Sequence, residues 1–461
     1  MTRLVIVSNR VARAKEGSQT SGGLITGVLD ALREGGGMWF GWSGELAEKL
    51  TVKPRVTEAD GLTYATVDLT RKDYDGYYNG FCNAALWPLF HYRLDLVEFT
   101  RQDFAAYHRV NALFARSLAP MLQPDDLVWV HDYHLIPMAE NLRRAGATQR
   151  IGFFLHTPFP SFGVLAVLPH HDDLVESLCA YDLVGFQTID DLTAFHDAVV
   201  REAGGELLPD GRVRAFGRTL RAGVFPIGVD TERIAEMAVP AVRSRTLRRF
   251  EHGLRDRQLI IGVDRLDYSK GLEHRFKAFA SFLERYPENR GRVRFLQIAT
   301  ATRSNVPEYR ALRQRLGSLA GDIDGRFSEL DWTPIQYLNR SFSPRSLFGF
   351  FRLSRIALVT PLRDGMNLVA KEYVAAQDPG DPGVLVLSPF AGAADELTSA
   401  VIANPYDPDA VAEALQMAAH MHLEERRERW RAMMEVLQRY DITAWRKSFL
   451  RTLDQRNGNA V

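Results

Sequence analysis

Residues 264–271 read DRLDYSKG, and residues 363–372 read RDGMNLVAKE. Each stretch follows a short apolar run, at residues 259–263 and 356–359, that is typical of a buried strand. A helical pattern begins after each stretch, so both stretches lie at the carboxyl ends of predicted strands. Open α/β sheets bind their ligands at that edge. The two stretches therefore predict an α/β fold with a ligand site at the ends of its strands.

The side chains at these strand ends match the parts of a sugar nucleotide. Arg265 and Lys270 place two cations on one rim of the predicted site. The second stretch starts a helix, and the first amides of a helix together with cations suit a diphosphate. Glu372 follows within that helix, where a carboxylate suits the hydroxyl groups of a ribose. The sequence thus predicts a site for a sugar nucleotide.

Length and charge limit the class of protein. The chain has 461 residues, which favours two or three domains over a single core. Its 57 Lys and Arg residues balance 57 Asp and Glu residues, giving a formal net charge of +0. Bulk electrostatics therefore favour neither nucleic acid nor an anionic membrane as a partner.

Cysteine content and hydrophobic runs indicate the compartment. Cys82 and Cys179 are too few for a disulfide framework and fit a reducing environment. The apolar run at residues 4–7 is far shorter than the hydrophobic region of a signal peptide, and no run reaches the length of a membrane span. We therefore expect a soluble, cytoplasmic protein that does not contact a membrane.

Strand-like runs alternate with helical stretches along the chain, which predicts parallel sheets covered by helices. A clear helical repeat places Leu272, Phe276 and Phe279 on one face. A change of pattern near residues 226–230 marks the predicted domain boundary, and residues 407–453 predict helices. The predicted strands are residues 4–8, 127–131, 151–156 and 183–186 in the first half and residues 259–263, 293–298, 356–359 and 384–387 in the second.

Candidate binding residues also occur early in the chain. Arg10 follows the first strand, where a cation is placed to meet an anion. Gly22 and Gly23 precede a helical pattern, and such a pair lets the backbone approach a negatively charged ligand closely. Tyr78 and Trp87 belong to an aromatic stretch that either packs in the core or forms the wall of a sugar pocket.

Two further strand ends carry histidines and a carboxylate. Residues 131–134 read HDYH, but neighbouring side chains on a strand point to opposite faces, which argues against a metal site. Asp132 or His134 is instead expected to form hydrogen bonds with sugar hydroxyls. His156 ends the next strand on the same sheet edge, so it is a candidate for contact with a reacting sugar.

Taken together, these segments resemble the trehalose-6-phosphate synthases, the retaining glycosyltransferases of family 20. The likeness runs from Arg3 to about Trp445 and so covers nearly the whole chain. So many long matches in the same order are highly specific. The matching segments are residues 10, 22–23, 39–44, 77–79, 87–88, 131–134, 156–160, 265–271 and 363–377.

The resemblance implies a GT-B glycosyltransferase fold, an α/β architecture with two Rossmann-like domains facing a central cleft. Residues 1–228 would form an N-terminal domain that binds the acceptor. Residues 229–440 would form a C-terminal domain that binds the nucleotide sugar, and residues 441–461 a C-terminal helix that crosses back to the N-terminal domain.

The resemblance also assigns roles to residues, and each position carries the residue type of the family. No metal ligand is implied. The implied catalytic residues are His156, Arg265, Lys270 and Asp364. The implied donor-binding residues are these four with Gly23, Asn367, Leu368, Val369 and Glu372. The implied acceptor-binding residues are Arg10, Tyr78, Trp87, Asp132 and Arg303.

The implied reaction transfers glucose from UDP-glucose, or another nucleoside diphosphate glucose, to glucose 6-phosphate with retention, in trehalose biosynthesis. It needs no cofactor and no metal, because Arg265 and Lys270 face the negative charge that grows on the departing diphosphate. A homo-oligomer is expected, and a trehalose-6-phosphate phosphatase would be the next enzyme of the pathway.

Two alternatives stay open. One is a related glucosyltransferase with a different phosphorylated acceptor such as glycerol 3-phosphate, against which the intact acceptor residues argue. The other is a non-catalytic sugar-nucleotide-binding regulatory subunit, which should have lost a cation of the site or Asp364, and this chain retains them. Ser343 and Pro344 depart from the family pattern near the segment expected to meet the nucleobase, so the donor base stays open.

Overall fold

The computed structural model describes residues 2–11, 32, 36–302 and 307–455. The chain separates into two compact units, one of Met1–Pro226 with Trp445–Val461 and one of Ile227–Ala444. Each unit is built on its own sheet, and helices cover the apolar strands as expected for an α/β architecture. Within the described residues, no helix has both the length and the apolar character needed to cross a membrane.

The sheet of the first unit is parallel in its centre and antiparallel at both edges. In the described residues it has ten strands in the order β3-β4-β2-β1-β5-β6-β7-β10-β9-β8, and only the pairs β3/β4, β10/β9 and β9/β8 are antiparallel. The strands are β1 (Leu4–Arg10), β2 (Gly37–Ala47), β3 (Arg55–Ala59), β4 (Leu62–Thr70), β5 (Leu127–His131), β6 (Arg150–Phe154), β7 (Leu183–Phe186), β8 (Glu206–Leu207), β9 (Arg212–Ala215) and β10 (Arg218–Val224).

The sheet of the second unit is parallel throughout its described strands. Its order is β13-β12-β11-β14-β15-β16. All strand carboxyl ends therefore lie along the same edge. The strands are β11 (Gln258–Arg265), β12 (Val293–Thr300), β13 (Ile335–Leu338), β14 (Ile356–Val359), β15 (Val384–Leu387) and β16 (Val401–Ile402).

Helices cover the sheets and connect their strands. The α-helices described are α1 (Arg71–Tyr74), α2 (Trp87–Phe90), α3 (Arg101–Leu118), α4 (Met138–Arg144), α5 (Phe162–Leu165), α6 (His171–Leu178), α7 (Ile189–Ala203), α8 (Thr231–Ala241), α9 (Arg245–Leu254), α10 (Leu272–Arg285), α11 (Pro307–Phe327), α12 (Pro344–Leu353), α13 (Leu368–Ala376), α14 (Ala393–Glu396), α15 (Pro408–His420), α16 (Leu423–Arg439) and α17 (Ile442–Asp454). A π-helix covers Asp75–Leu86, and short 3₁₀ segments cover Leu94–Leu96, Ala119–Met121, Tyr133–Leu135, Tyr268–Lys270 and Pro287–Asn289.

The last described helix packs within the first unit through an aromatic ring. Phe449 of α17 stacks on Trp129 with ring centroids 4.7 Å apart. Gly152 on β6 and Gly185 on β7 make room for it, because a methyl group at either position would lie within 2.9 Å and 2.8 Å of that ring, respectively. The two strand glycines thus leave the space in which Phe449 of α17 packs against the sheet.

The eight predicted strands are all present in the structure. The strand predicted at residues 151–156 ends earlier, at Phe154, because the amide of His156 bonds to the Asp132 side chain instead of to a neighbouring strand, and the chain then enters a proline-containing loop. His156 therefore lies two residues beyond its strand. The edge hairpin of β3 with β4 was not predicted, since all five residues of β3 are exposed and show no apolar alternation.

Candidate active site

The loop after β11 is fixed in place by its own side chains. Asp267 accepts hydrogen bonds from the Ser269 amide (3.0 Å) and from the Tyr309 hydroxyl (3.1 Å). Gly271 then adopts a φ of +66°, and a methyl group there would lie 2.4 Å from the Thr360 carbonyl oxygen. Only glycine satisfies both conditions where this loop enters α10. The loop therefore presents its cation in a defined position.

A lysine, a carboxylate and an amide from the two predicted stretches lie together. Lys270 Nζ is 2.6 Å from Asp364 Oδ2, and Asn367 Nδ2 donates to the same oxygen at 2.9 Å. The Lys270 and Asp364 side chains are only 10% and 14% exposed. Asn367, at a φ of +76°, caps α13 by accepting a bond from the Ala370 amide. The structure thus brings together Lys270 and Asp364, both of which the family resemblance implies to be catalytic.

The second cation and the helix start lie on the same sheet edge. Arg265 is the last residue of β11 and is exposed, in contrast to the buried Lys270. β11 pairs with β14, after which the chain leads to α13. Leu368 and Val369 supply the first amides of α13, where the helix dipole favours negative charge. This edge is therefore suited to an anion.

Glu372 lies in the second turn of α13 and is partly buried. Burial raises the pKa of its carboxyl group from 4.5 to about 7. The charged form, which the predicted ribose contact needs as an acceptor, is therefore poorly solvated in the folded chain. Hydroxyl groups of a ligand would donate hydrogen bonds to this carboxylate in place of those that burial keeps water from donating.

We expect Glu372 to make the stability of the chain depend on pH. Between the unfolded value near 4.5 and the folded value of about 7, the folded chain binds more protons than the unfolded chain, so the free energy of unfolding falls as pH rises. When the free energy of unfolding is measured by urea denaturation across this pH window, it should fall less in Glu372→Gln than in the parent chain. Glu435→Gln, an exposed site on α16, is the control and should follow the parent chain. If the free energy of unfolding changes equally with pH in all three proteins, Glu372 is not the source of this pH dependence.

A buried arginine behind this edge was missed by the sequence reasoning. Arg275 on α10 forms an ion pair with Asp264 and donates to Gln297 Oε1 (2.9 Å) and Thr360 Oγ1 (3.1 Å). It also donates to the Lys270 carbonyl oxygen at 3.3 Å. Its signal in the sequence is its place three residues after Leu272, which puts a charge on the apolar face of the predicted helix.

In the first unit, Arg10 and Tyr78 belong to one polar and aromatic cluster. The Arg10 guanidinium lies 5.7 Å from the Trp42 ring centroid, and a methyl group at Gly44 would lie 2.7 Å from Arg10 Nε. The Tyr78 ring is 6.3 Å from that of Trp42 and stacks on His134 at 5.8 Å. A cation beside partly buried aromatic rings can hold a phosphorylated sugar.

The predicted aromatic stretch is largely buried. Trp87 is 5% exposed, and its ring packs against His91 and Tyr133 at 4.1 Å and 5.8 Å. Tyr77 is fully buried and donates to Asn9 Oδ1 at 2.8 Å. Tyr78 is partly exposed. The stretch contains the π-helix, a form that often occurs at functional sites.

Asp132 and His156 lie side by side at the ends of β5 and β6. Asp132 has a φ of +76°, which is strained for a residue with a side chain, and its amide bonds to the Phe154 carbonyl (2.8 Å). Its Oδ1 accepts a bond from the His156 amide (3.3 Å), and its Oδ2 lies 3.8 Å from His134 Nδ1. Burial lowers the pKa of His156 to about 3, so its ring is neutral.

Two predicted site residues, Gly23 and Arg303, lie outside the described residues. Among the residues that are described, no group of three or more His, Cys, Asp or Glu side chains is arranged to hold a metal ion. The segment near the expected nucleobase is ordered by Ser343, which caps α12 by accepting a bond from the Ser346 amide (3.3 Å).

Comparison with known proteins gives a consistent result. The profile of glycosyltransferase family 20 matches residues 2–455. The trehalose-6-phosphate synthase of Cronobacter sakazakii is 49% identical over 455 residues, which are 99% of this chain and 96% of the relative.

Two solved structures are similar over nearly the whole chain. An α,α-trehalose-phosphate synthase (UDP-forming) of Burkholderia xenovorans in complex with glucose-6-phosphate has a TM-score of 0.94 and 53% identity, covering 98% of this chain and 100% of that one. A structure from Escherichia coli bound with UDP-2-fluoro glucose has a TM-score of 0.95 and 48% identity, covering 99% of each chain. The predicted GT-B class, with two parallel-sheet domains, is confirmed by these matches.

Proposed function

The chain belongs to glycosyltransferase family 20, and we propose that it transfers glucose from UDP-glucose to glucose 6-phosphate with retention, forming α,α-trehalose 6-phosphate. The main support for this proposal is the contact between the mostly buried side chains of Lys270 and Asp364. The exposed Arg265 lies on the same sheet edge. Relatives of the same family with bound glucose-6-phosphate and UDP-2-fluoro glucose support both substrates.

Most residues proposed to bind the donor belong to the second unit. Arg265 and Lys270 bind the diphosphate, with the first amides of α13 at its other oxygens. Glu372 accepts hydrogen bonds from the ribose, and Asp364 and His156 bond to hydroxyls of the transferred glucose. The two fixed cations oppose the charge that develops on the departing diphosphate, where preorganised charge has its largest effect.

The first unit binds the acceptor. Arg10 pairs with the 6-phosphate, Tyr78 and Trp87 shape the sugar pocket, and Asp132 bonds to the acceptor sugar. Arg303 is proposed as a second phosphate ligand. In the reaction, the bond from glucose C1 to the diphosphate breaks and a bond from C1 to the anomeric oxygen of the acceptor forms. The acceptor proton passes to the departing phosphate on the same face, which retains the configuration.

We expect activity to survive removal of divalent metal ions. Two positive charges already face the diphosphate, so the charge that a metal would neutralise is met by side chains. Turnover should be unchanged after exhaustive chelation with EDTA and desalting. A loss of activity that magnesium or manganese restores would contradict this assignment of Arg265 and Lys270.

Replacing Arg10 should weaken use of the phosphorylated acceptor selectively. A charge-assisted hydrogen bond contributes about 1.5 to 3 kcal/mol, equivalent to roughly a ten- to hundred-fold change in an equilibrium constant. Arg10→Ala should lower kcat/KM for glucose 6-phosphate by about that factor and leave the Kd of UDP unchanged. Arg116→Ala, an exposed site on α3, is the matched control.

The same assay tests the proposed acceptor. The parent chain should strongly prefer glucose 6-phosphate over glucose and over glycerol 3-phosphate. A panel of UDP-, ADP- and GDP-glucose then measures which nucleobase of the donor the chain prefers. Equal rates with glucose and glucose 6-phosphate, or an Arg10→Ala variant that loses affinity for UDP instead, would refute the phosphate role of Arg10.

We also propose a cytoplasmic location, a next enzyme of the pathway and a homo-oligomeric state for this chain. Cys82 and Cys179 are buried thiols, which fits a reducing cytoplasm. The product is a phosphate monoester, so a trehalose-6-phosphate phosphatase is the enzyme class that would consume it. The homo-oligomer stays a prediction that a mass measurement in solution can check.

A further inference from the structure

Two histidines share a hydrogen bond behind the proposed sugar site. His131 Nδ1 and His156 Nε2 are 3.1 Å apart, and their rings stack with centroids 5.3 Å apart. His131 is the last residue of β5 and is 1% exposed. Strand pairing aligns His131 with Phe154, so the two strand ends bring the imidazoles together. One proton lies between these two nitrogens.

Two tryptophan rings pack near His131. The Trp129 ring lies 4.5 Å from it, and the Trp445 ring of α17 lies 6.5 Å from it. His131 Nε2 is buried without a hydrogen-bond partner among the described residues, and so are the indole nitrogens of both tryptophans. Each indole nitrogen is a donor only. The aromatic cluster that contains His131 therefore holds two buried donors without acceptors.

This environment distinguishes the two ways of placing the proton. If His156 Nε2 carried it, His131 would bear its own proton on Nε2, adding a third unpaired donor to an apolar pocket. A buried unsatisfied donor costs about 1–3 kcal/mol. If His131 Nδ1 carries the proton, Nε2 is a bare lone pair in a cluster that holds two unpaired donors, and His156 Nε2 accepts. The second arrangement is favoured.

We propose that His131 is a positioning residue that donates to His156 Nε2 and thereby fixes the proton of His156 on Nδ1. His156 Nδ1 has no hydrogen-bond partner within the described part of the chain. Resting on the proposed function, this N–H group is the donor that His156 offers to a hydroxyl of the transferred glucose. Burial keeps both rings neutral, which preserves the arrangement at neutral pH.

Histidine-selective ¹⁵N NMR of the unliganded chain tests the proton position directly. The His156 resonances are assigned by their loss in His156→Gln. We expect a protonated, pyrrole-type nitrogen at Nδ1 and an unprotonated, pyridine-type nitrogen at Nε2. The opposite pattern, or equal averaged shifts at both nitrogens, would overturn the proposal. This result does not depend on turnover, so an inactive parent chain would refute the proposed function alone.

Kinetics of two variants test whether the hydrogen bond acts on the sugar. His131→Phe keeps an aromatic ring but loses the donor, so kcat/KM for UDP-glucose should fall roughly tenfold, the equivalent of one hydrogen bond, with the Kd of UDP unchanged. His131→Asn, whose amide can donate from a similar place, should recover most of the loss. Equal losses in both variants would indicate packing alone and overturn the positioning role.

A matched control separates this effect from loss of a buried histidine. His108 on α3 also has a buried Nε2 without a partner among the described residues, and it packs on Phe104. His108→Phe should leave both the His156 resonances and kcat/KM unchanged. A comparable fall in His108→Phe would contradict the proposal. If His131→Phe fails to fold, the NMR pattern of the parent chain decides.

Discussion

Replacing Lys270 with alanine should lower kcat for glucosyl transfer about 100- to 1,000-fold, the usual loss when one preorganised charge-stabilising donor is removed. Lys270 is 8% exposed and contacts Asp364 at 2.6 Å, so its removal takes away a desolvated charge and leaves a partly buried carboxylate without its cation. Both consequences act on the proposed reacting groups. The loss should appear in kcat as well as in kcat/KM, because the diphosphate charge grows in the transition state.

Lys277→Ala is the matched control for this experiment. Lys277 lies on α10, a few residues after the same loop, and is exposed. Its replacement removes an equal formal charge from the same helix and should leave kcat unchanged. Thermal unfolding of both variants checks that the fold is retained. A Lys270→Ala protein that is folded and as active as Lys277→Ala would show that Lys270 has no part in the chemistry.

Replacing Arg275 with methionine should reduce the stability of the second unit by about 3–5 kcal/mol, the range found when one partner of a buried ion pair is removed. Arg275 is 1% exposed and holds Asp264, Gln297 and Thr360, which belong to or follow three neighbouring strands. The variant leaves the Asp264 carboxylate buried without its cation. Hydrogen exchange of the β11 and β12 amides in increasing urea measures this unit separately.

An exposed arginine on the same helix provides the comparison. Arg285 pairs with Asp409 (3.2 Å) and Glu413 (2.8 Å) at the surface, so Arg285→Met should change the stability of this unit far less than Arg275→Met. The double variant Asp264→Asn with Arg275→Met should lose less stability than the two single variants lose in sum, because no unpaired buried charge then remains. Equal effects of Arg275→Met and Arg285→Met would contradict the account of the buried network.

Eight of the parallel strands were predictable because each contains a short apolar run, whereas β2, β4, β10, β13 and β16 were not predicted. Residues 127–131, 183–186, 356–359 and 384–387 match the observed strands at both ends. The exposed edge strand β3 carries no such pattern, and its pairing depends on contacts with β4 that periodicity does not encode. Polar edge strands are therefore one part of this fold that apolar periodicity does not reveal.

Within the candidate site, residue types were predictable but their mutual contacts were not. Arg265 and Lys270 follow from cations at strand ends, and Asp364 is implied by the family resemblance. The Lys270 to Asp364 contact, in contrast, joins loops 94 positions apart. The positive φ of Asp132 is set by hydrogen bonds between strand ends. The partnership of His131 with His156 likewise requires the register of β5 and β6, which the sequence does not specify.

Formation of α,α-trehalose 6-phosphate from UDP-glucose and glucose 6-phosphate is the proposed activity of this chain. The most direct test incubates the purified chain with UDP-glucose labelled with ¹³C at the glucose C1 and with glucose 6-phosphate, and follows the labelled carbon by NMR. We expect release of UDP and a single phosphorylated disaccharide whose labelled carbon keeps the α configuration. A product with the β configuration, release of free glucose only, or no reaction under conditions where UDP binds would contradict it.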